Sequence, residues 1–136
     1  MSTDDLVHGV PKSGIHALLD IEVVEATPER VVLSLDVGPA VHQPFGLLHG
    51  GVSALLAESA ASFGGQLNVG SGRTVVGVEL NANHLRSMSE GVLTATATPV
   101  HTGRRLQVWN IELVDDKDRM ICVSRCTLAV LEATAE

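Results

Sequence analysis

The run from Gly50 to about Gln66 is the one stretch of this chain with helical spacing, and strand-like runs flank it on both sides. Val52, Leu55, Leu56, Ser59 and Phe63 fall on one helical face, while Ala54, Glu58 and Ser62 form a separate stripe in steps of four. The run is crowded with Ala, Gly and Ser, which permits close approach by a neighbouring backbone. Gly64-Gly65 is expected to weaken its end and Gly70-Ser71-Gly72 to break it. Before the helix, a short apolar run at Gly14–Leu19 has room for one helical turn. Asp20–Ala26 and Arg30–Val37 then read as strands joined by the turn Thr27-Pro28-Glu29. Val31, Leu33, Leu35 and Val37 alternate with Arg30, Ser34 and Asp36, the period of a half-buried strand, with Val32 as the exception. After the helix come Thr74 to about Leu85, Val92–Val100, Leu106–Val114 and Met120–Leu131. Short turns at Ser89-Glu90-Gly91, Thr102-Gly103 and 115–118 predict that these four runs form an antiparallel meander. Two strands, one long helix and four strands, without strand–helix alternation, imply an α+β layer: one antiparallel sheet with one helix covering it.

The chain of 136 residues is long enough for a single domain with a real core, residues 1–136, with 1–13 as an arm and 132–136 as a tail. Aromatic residues are only 2%, so the core must come from Val, Leu, Ile and Ala. A net charge of −7 argues against a nucleic-acid partner but allows a small anion held by a local cluster of cations. Cys122 and Cys126 share one face of a strand roughly 13 Å apart, too far for a disulfide. Met1–Gly9 carries acids where a signal peptide needs basic and apolar residues, and no apolar run reaches membrane-spanning length. A cytoplasmic protein with no membrane partner is the expectation. The six histidines are scattered and no pair has metal-ligand spacing, so no metal site is expected.

Chemistry concentrates in the helix and the loop before it. Glu58 lies among Ala54, Leu55, Ala57, Ala61 and Ser62 with no Lys or Arg within four residues, which points to a partly buried acid without a local ion pair. Ser62, one turn on, is placed to orient that carboxylate or hold a water. His49-Gly50-Gly51 opens the helix, where free N–H groups and the helix dipole suit a carbonyl oxygen that becomes an oxyanion. Gln43 offers a further amide. Gly50 and Glu58 are eight residues apart, roughly 12 Å along a helix, so they do not reach one carbonyl from the same helix. Two antiparallel helices from two chains bring Glu58 of one beside Gly50 of the other, and a twofold dimer then holds two equivalent sites. Arg86, Arg104 and Arg105 fall at strand ends beside turns, as exposed surface cations or as a phosphate clamp. His84 lies in the polar stretch Asn81-Ala82-Asn83-His84, where it lines a pocket or ends a strand; His101 is similar, and His8 and His16 carry no pattern.

The segment Gln43-Pro44-Phe45-Gly46-Leu47-Leu48-His49-Gly50-Gly51 followed by Leu56-Ala57-Glu58-Ser59 resembles the signature of hotdog-fold acyl-CoA thioesterases. The branch it resembles holds the phenylacetyl-CoA-pathway and Arthrobacter-type 4-hydroxybenzoyl-CoA thioesterases. Asn81–His84 and the run His101–Trp109 are similar to the 1,4-dihydroxy-2-naphthoyl-CoA and enterobactin-proofreading thioesterases of that branch. The resemblance spans about residues 14–131. It implies a hotdog fold with the sheet wrapped around the helix, and a homodimer with shared sites paired into a homotetramer. It implies Glu58 as nucleophile or general base, Gly50 as oxyanion donor, Gln43 and His49 at the thioester carbonyl or the water, and Ser62 supporting the water. His84 would line the acyl pocket. Asn81, Arg86, His101, Gly103, Arg104 and Arg105 would hold CoA, which is part of the substrate, so no separate cofactor is implied. The expected reaction is hydrolysis of an aromatic acyl-CoA to acid and CoA. Alternatives are a medium-chain or promiscuous acyl-CoA or aryl carrier-protein thioesterase and a non-catalytic acyl-CoA binding module. A hotdog hydratase or dehydratase using Asp36 and His42, which bracket the loop before the helix, ranks low.

Overall fold

The computed structural model describes residues 12–132; the arm before it and the tail after it lie outside the described residues, His8 among them. The elements in order are α1 (Gly14–Leu18), β1 (Glu22–Thr27), β2 (Arg30–Val37), a short 3-10 turn at Pro39–Val41, α2 (Gly50–Leu67), β3 (Arg73–His84), β4 (Gly91–Thr102), β5 (Leu106–Val114) and β6 (Met120–Glu132). The six strands form one antiparallel sheet in the order β1-β2-β4-β5-β6-β3. The sheet curls around α2, which touches every strand. This is the α+β arrangement read from the sequence.

The alternation that defines β4 holds in detail: Leu93, Ala95 and Ala97 are fully buried while Thr94 and Thr96 lie between them on the other face. Val32 is also buried, although its neighbours of the same parity in β2 are not. The two cysteines are free and buried, as their spacing required.

Two expectations are corrected. The meander is limited to β4, β5 and β6, because β3 pairs with β6 at the far edge and β4 pairs with β2. Residues 85–90 do not make a hairpin; they cross the mouth of the curled sheet. Met88 is buried there, its carbonyl accepts from Leu48 N (2.8 Å), and the Ser89 carbonyl lies 2.7 Å from His42 Nε2. Second, the inner face of α2 is not the larger apolar stripe. It is Ser53, Leu56, Ala57, Ala60, Ala61, Gly64 and Gly65, with Val52, Leu55 and Phe63 partly buried at its flanks.

Gly64 and Gly65 lie inside the helix, as its expected extent to about Gln66 had it, and the helix runs to Leu67. They are required by proximity. A Cβ on Gly64 would lie 2.3 Å from the Trp109 ring, and one on Gly65 would lie 2.4 Å from Leu128 Cδ1. The fully buried Trp109 donates its indole N–H to Gln107 Oε1 (2.9 Å), and Gln107 Nε2 donates to the Gly65 carbonyl (3.2 Å). The only tryptophan is therefore both the bulk that fills the space and one end of a polar chain tying the sheet to the helix backbone. Gly64→Ala is expected to cost about 1–3 kcal/mol by overpacking, despite the better helix propensity of Ala. A urea titration checks this by a lowered midpoint.

Candidate active site

The helix start is built by a division of donors. His49 is the N-cap residue, with extended backbone, and its Nδ1 accepts from Gly51 N at 2.8 Å. The ring proton must then sit on Nε2. His49 N donates to the Val41 carbonyl and Val52 N to the His49 carbonyl. Among the described residues, the Gly50 N–H finds no acceptor. It is a free helix-start donor, the kind that binds a ligand oxygen. A Cβ there would lie 2.9 Å from His84 Nε2, so any larger residue would push the His84 ring aside. The sequence reading has His49 as a loop-orienting or carbonyl-polarising group; in the structure its ring caps the Gly51 N–H.

Gln43 faces the same space. Its Oε1 accepts from Phe45 N (2.5 Å) and Leu47 N (3.4 Å), which fixes the amide orientation, since both partners are donors. The Nε2 group is left to donate elsewhere. Gln43, Gly50, Ser53, His84, Arg86 and Met88 help to line a cavity of about 420 Å³. The buried Ser53 hydroxyl has no partner among the described residues.

Glu58 lies in a different cavity, of about 480 Å³, with Ala54, Leu55, Ser59, Ser62, Phe63, Leu80 and two α1 residues, Ile15 and His16, in its wall. In the single chain Glu58 is exposed, where partial burial was expected, because the small residues of α2 face the sheet and Glu58 faces outward. Its carboxyl group sits against Gly77 in β3, where a Cβ would approach Glu58 Cδ to 2.9 Å. A bulge between Gly77 and Glu79 deforms the strand at this point. No salt bridge to Glu58 exists among the described residues. Burial, with the Glu58 and Glu79 carboxylates adding to it, pushes the nearby Cys126 thiol up to about 12. Burial likewise raises Cys122. Neither thiol is a nucleophile at neutral pH.

One chain therefore brings Gln43, Gly50, His84 and Arg86 together at one cavity, and Glu58 and Ser62 at another. It does not unite the arginines. His101 stands at the end of β4 and Gly103, Arg104 and Arg105 in the β4–β5 turn, where Arg73 Nη2 donates to the Arg104 carbonyl (2.5 Å) and the His101 ring covers Gly103. That turn lies beside the start of β3 and Arg86 just beyond its end, roughly 35 Å along the strand at ordinary rise. Asn81 is exposed on β3 between them, its carbonyl accepting from Ser124 Oγ (2.8 Å). His16 was missed. It sits in the wall of the Glu58 cavity, and nothing local in the sequence announces a contact that spans from residue 16 to residue 59.

Residues 45–122 match the thioesterase superfamily. The chain belongs to that family. It is 46% identical to a 1,4-dihydroxy-2-naphthoyl-CoA hydrolase of Listeria monocytogenes over 86% of this chain and 95% of that protein. It is 41% identical to the proofreading thioesterase EntH of Cronobacter turicensis over 83% of this chain and 82% of that one. The crystal structure of a thioesterase from Haemophilus influenzae superposes with a TM-score of 0.88 at 39% identity, covering 97% of this chain and 92% of that one. This thioesterase has the hotdog fold and is an enzyme of the thioester-hydrolase class.

The Gly77 contact gives a test that separates position from stability. Gly77→Ala meets only the end of the flexible Glu58 side chain, so the melting temperature should hold. The displaced Glu58 carboxylate should lower thioester turnover by about 10- to 100-fold, measured as kcat at saturating substrate.

Proposed function

We propose that this chain hydrolyses acyl-CoA thioesters, with aromatic acyl groups preferred, at two equivalent sites shared across a homodimer. The observation that carries the reading is the separation on α2 of a free donor, Gly50 N–H, from the lone acid, Glu58. They line different cavities in one chain, and antiparallel pairing of two α2 helices lays one kind of cavity against the other. The surface for that pairing is at hand. β3 is an edge strand whose outer hydrogen-bonding side is unpaired among the described residues, and Val76 and Val78 are exposed on it.

In the shared site, the thioester carbonyl accepts from Gly50 N–H and from Gln43 Nε2 of one protomer. His49 keeps the helix start in place by occupying Gly51 N–H. Glu58 of the other protomer attacks the carbonyl carbon or takes a proton from the attacking water, and Ser62 supports that water. Negative charge gathers on the carbonyl oxygen, where the two donors and the helix dipole stabilise it. The C–S bond then breaks, and the CoA sulfur leaves as thiolate and is protonated; the acid is released at once in the water route, and in the direct route only after water hydrolyses the anhydride formed on Glu58. His84 borders the carbonyl end of the acyl group. Arg86 lies at one mouth, and Asn81, His101, Gly103, Arg104 and Arg105 of a neighbouring protomer would hold the pantetheine and nucleotide in a dimer of dimers. The reaction needs no metal or redox cofactor.

The aromatic preference is supported by Leu55, Phe63 and Leu80 in the Glu58 cavity and by the 1,4-dihydroxy-2-naphthoyl-CoA hydrolase named above. A cytoplasmic location goes with the reading and with the two free, buried cysteines. The second reading is the one that the sequence resemblance leaves open, a medium-chain or promiscuous acyl-CoA or aryl carrier-protein thioesterase. Free-thiol release should be measured on a panel of aroyl-CoA, fatty acyl-CoA and aroyl carrier-protein thioesters. Aroyl-CoA should give the highest kcat/KM, and Glu58→Ala should lower kcat by about 10²-fold or more with the fold intact. Unchanged turnover in that variant would remove Glu58 from the chemistry.

A further inference from the structure

Phe45 is 87% exposed, the most exposed large apolar side chain among the described residues. It does not sit on a loose loop. Gln43 N donates to the Leu47 carbonyl (2.7 Å), Gly46 N donates to the Gln43 carbonyl (3.1 Å), and His42 pairs with Leu48. Gly46 takes a φ of 78°, which glycine adopts at no steric cost. The turn is closed, and Phe45 stands at its tip. A single exposed apolar residue is ordinary on a protein surface. What sets this one apart is the group that holds it.

That group is Gln43. Its Oε1 accepts from Phe45 N at 2.5 Å, and the Nε2 of the same amide is the proposed donor to the thioester carbonyl. With a hydrogen bond of about 3 Å on the carbonyl side, Phe45 N lies within about 8 Å of the carbonyl oxygen. A benzoyl-sized acyl group on that carbonyl then falls where two rings interact, at roughly 4.5–7 Å between centroids. The helix pairing supplies the direction. With Gly50 of one chain beside Glu58 of the other, each step back from Gly50 runs alongside a step forward from Glu58. The segment leading into α2 therefore passes Ser62 and Phe63 of the other protomer. The Glu58 cavity is apolar there, with Ile15, Leu55, Phe63 and Leu80 in its wall. The Phe63 ring is fixed by His16, which meets it edge-on with centroids 5.2 Å apart. The chain has two phenylalanines, and these are its only phenyl rings, since it has no tyrosine.

We infer that Phe45 of one protomer closes the acyl cavity of the other, so that Phe45 and Phe63 from two chains form its aromatic walls. Phe45 is then a specificity-determining residue that acts from the same chain as the Gly50 and Gln43 donors. The inference rests on the proposed hydrolysis at a shared site, and it adds which chain supplies the second wall.

The test is the ratio of kcat/KM for benzoyl-CoA to that for butyryl-CoA, with the full chain. Phe45→Ala should lower the benzoyl-CoA value by about five- to tenfold, the worth of one aromatic contact, and the butyryl-CoA value by about twofold or less. Phe45→Leu, which keeps bulk without the ring, should retain part of the preference. Position is read separately from activity. A double variant, Phe45→Cys with Phe63→Cys, treated with a short bis-maleimide should run as a linked dimer on a denaturing gel, and neither single variant should. Within one chain Phe63 lies roughly 20 Å along α2 from Gly50, out of reach of such a linker. The native cysteines are buried and stay out of the reaction. Should Phe45→Ala weaken the dimer in sedimentation, Phe45→Leu and the cross-link decide. Equal losses on the two substrates, or no link between protomers, overturns the inference while leaving thioester hydrolysis standing. Absence of hydrolysis of every CoA thioester overturns the proposed function and this inference with it.

Discussion

The closeness of α2 to the sheet governs the rest of this protein. At Gly64 and Gly65 there is no space for even a methyl group, and Ala57, Ala60 and Ala61 continue the same tight seam. A curled sheet can wrap a helix at this distance only if the inner face of the helix is small. Trp109 supplies the missing bulk from the sheet side, and Gln107 satisfies both its indole N–H and the Gly65 carbonyl. Because the small residues must point inward, the positions a quarter-turn away are turned outward. Gly51, Ala54, Glu58 and Ser62 are thus delivered to the surface beside β3, and the packing of the core decides where the chemistry is exposed.

The helix carries a donor, Gly50, beside the start of that strip and an acid two turns later. His49 sharpens the donor end. By capping Gly51 it removes one free N–H from the helix start and leaves Gly50 as the donor still available. Gln43 is similarly committed through its oxygen to the loop and free through its nitrogen. Each group is set in place by a bond that uses its other half. At the acid end, Gly77 clears space for the Glu58 carboxyl group and a strand bulge adjusts the backbone that faces it. Two well-formed halves on one helix, each with its own cavity, make a second copy of the chain part of the chemical argument.

Much of this was legible in the sequence, for identifiable reasons. The strand alternation of β4, the helix from Gly50 and the lone acid among small residues are local patterns, and they needed no partner to be read. The spacing of Gly50 and Glu58 translated into distance because helix rise is constant. What could not be read was anything set by non-local approach. Gly64-Gly65 looks like a weak helix end until Trp109 is placed against it. The position of β3 beyond β6 depends on residues 85–90 crossing the mouth of the sheet, a path that short turn-like residues disguise as a hairpin. Arg86 and the Arg104-Arg105 pair look alike as cations at strand ends, yet β3 holds them apart. His16 had no pattern of its own, and only the fold sets it against Ser59 and Phe63.

The central claim is that Glu58 and the Gln43–Gly50 donors act together only across two chains. Mixing is its most direct measurement. Glu58→Ala and Gln43→Ala protomers, each nearly inactive alone, are unfolded together and refolded in equal amounts, and thioester hydrolysis is then assayed. Half of the random dimers are mixed, and each mixed dimer holds one site with both groups intact, so activity should return to about a quarter of the native value. If the mixture stays as inactive as its components although mixed dimers form, each site is built within a single chain and the account is wrong.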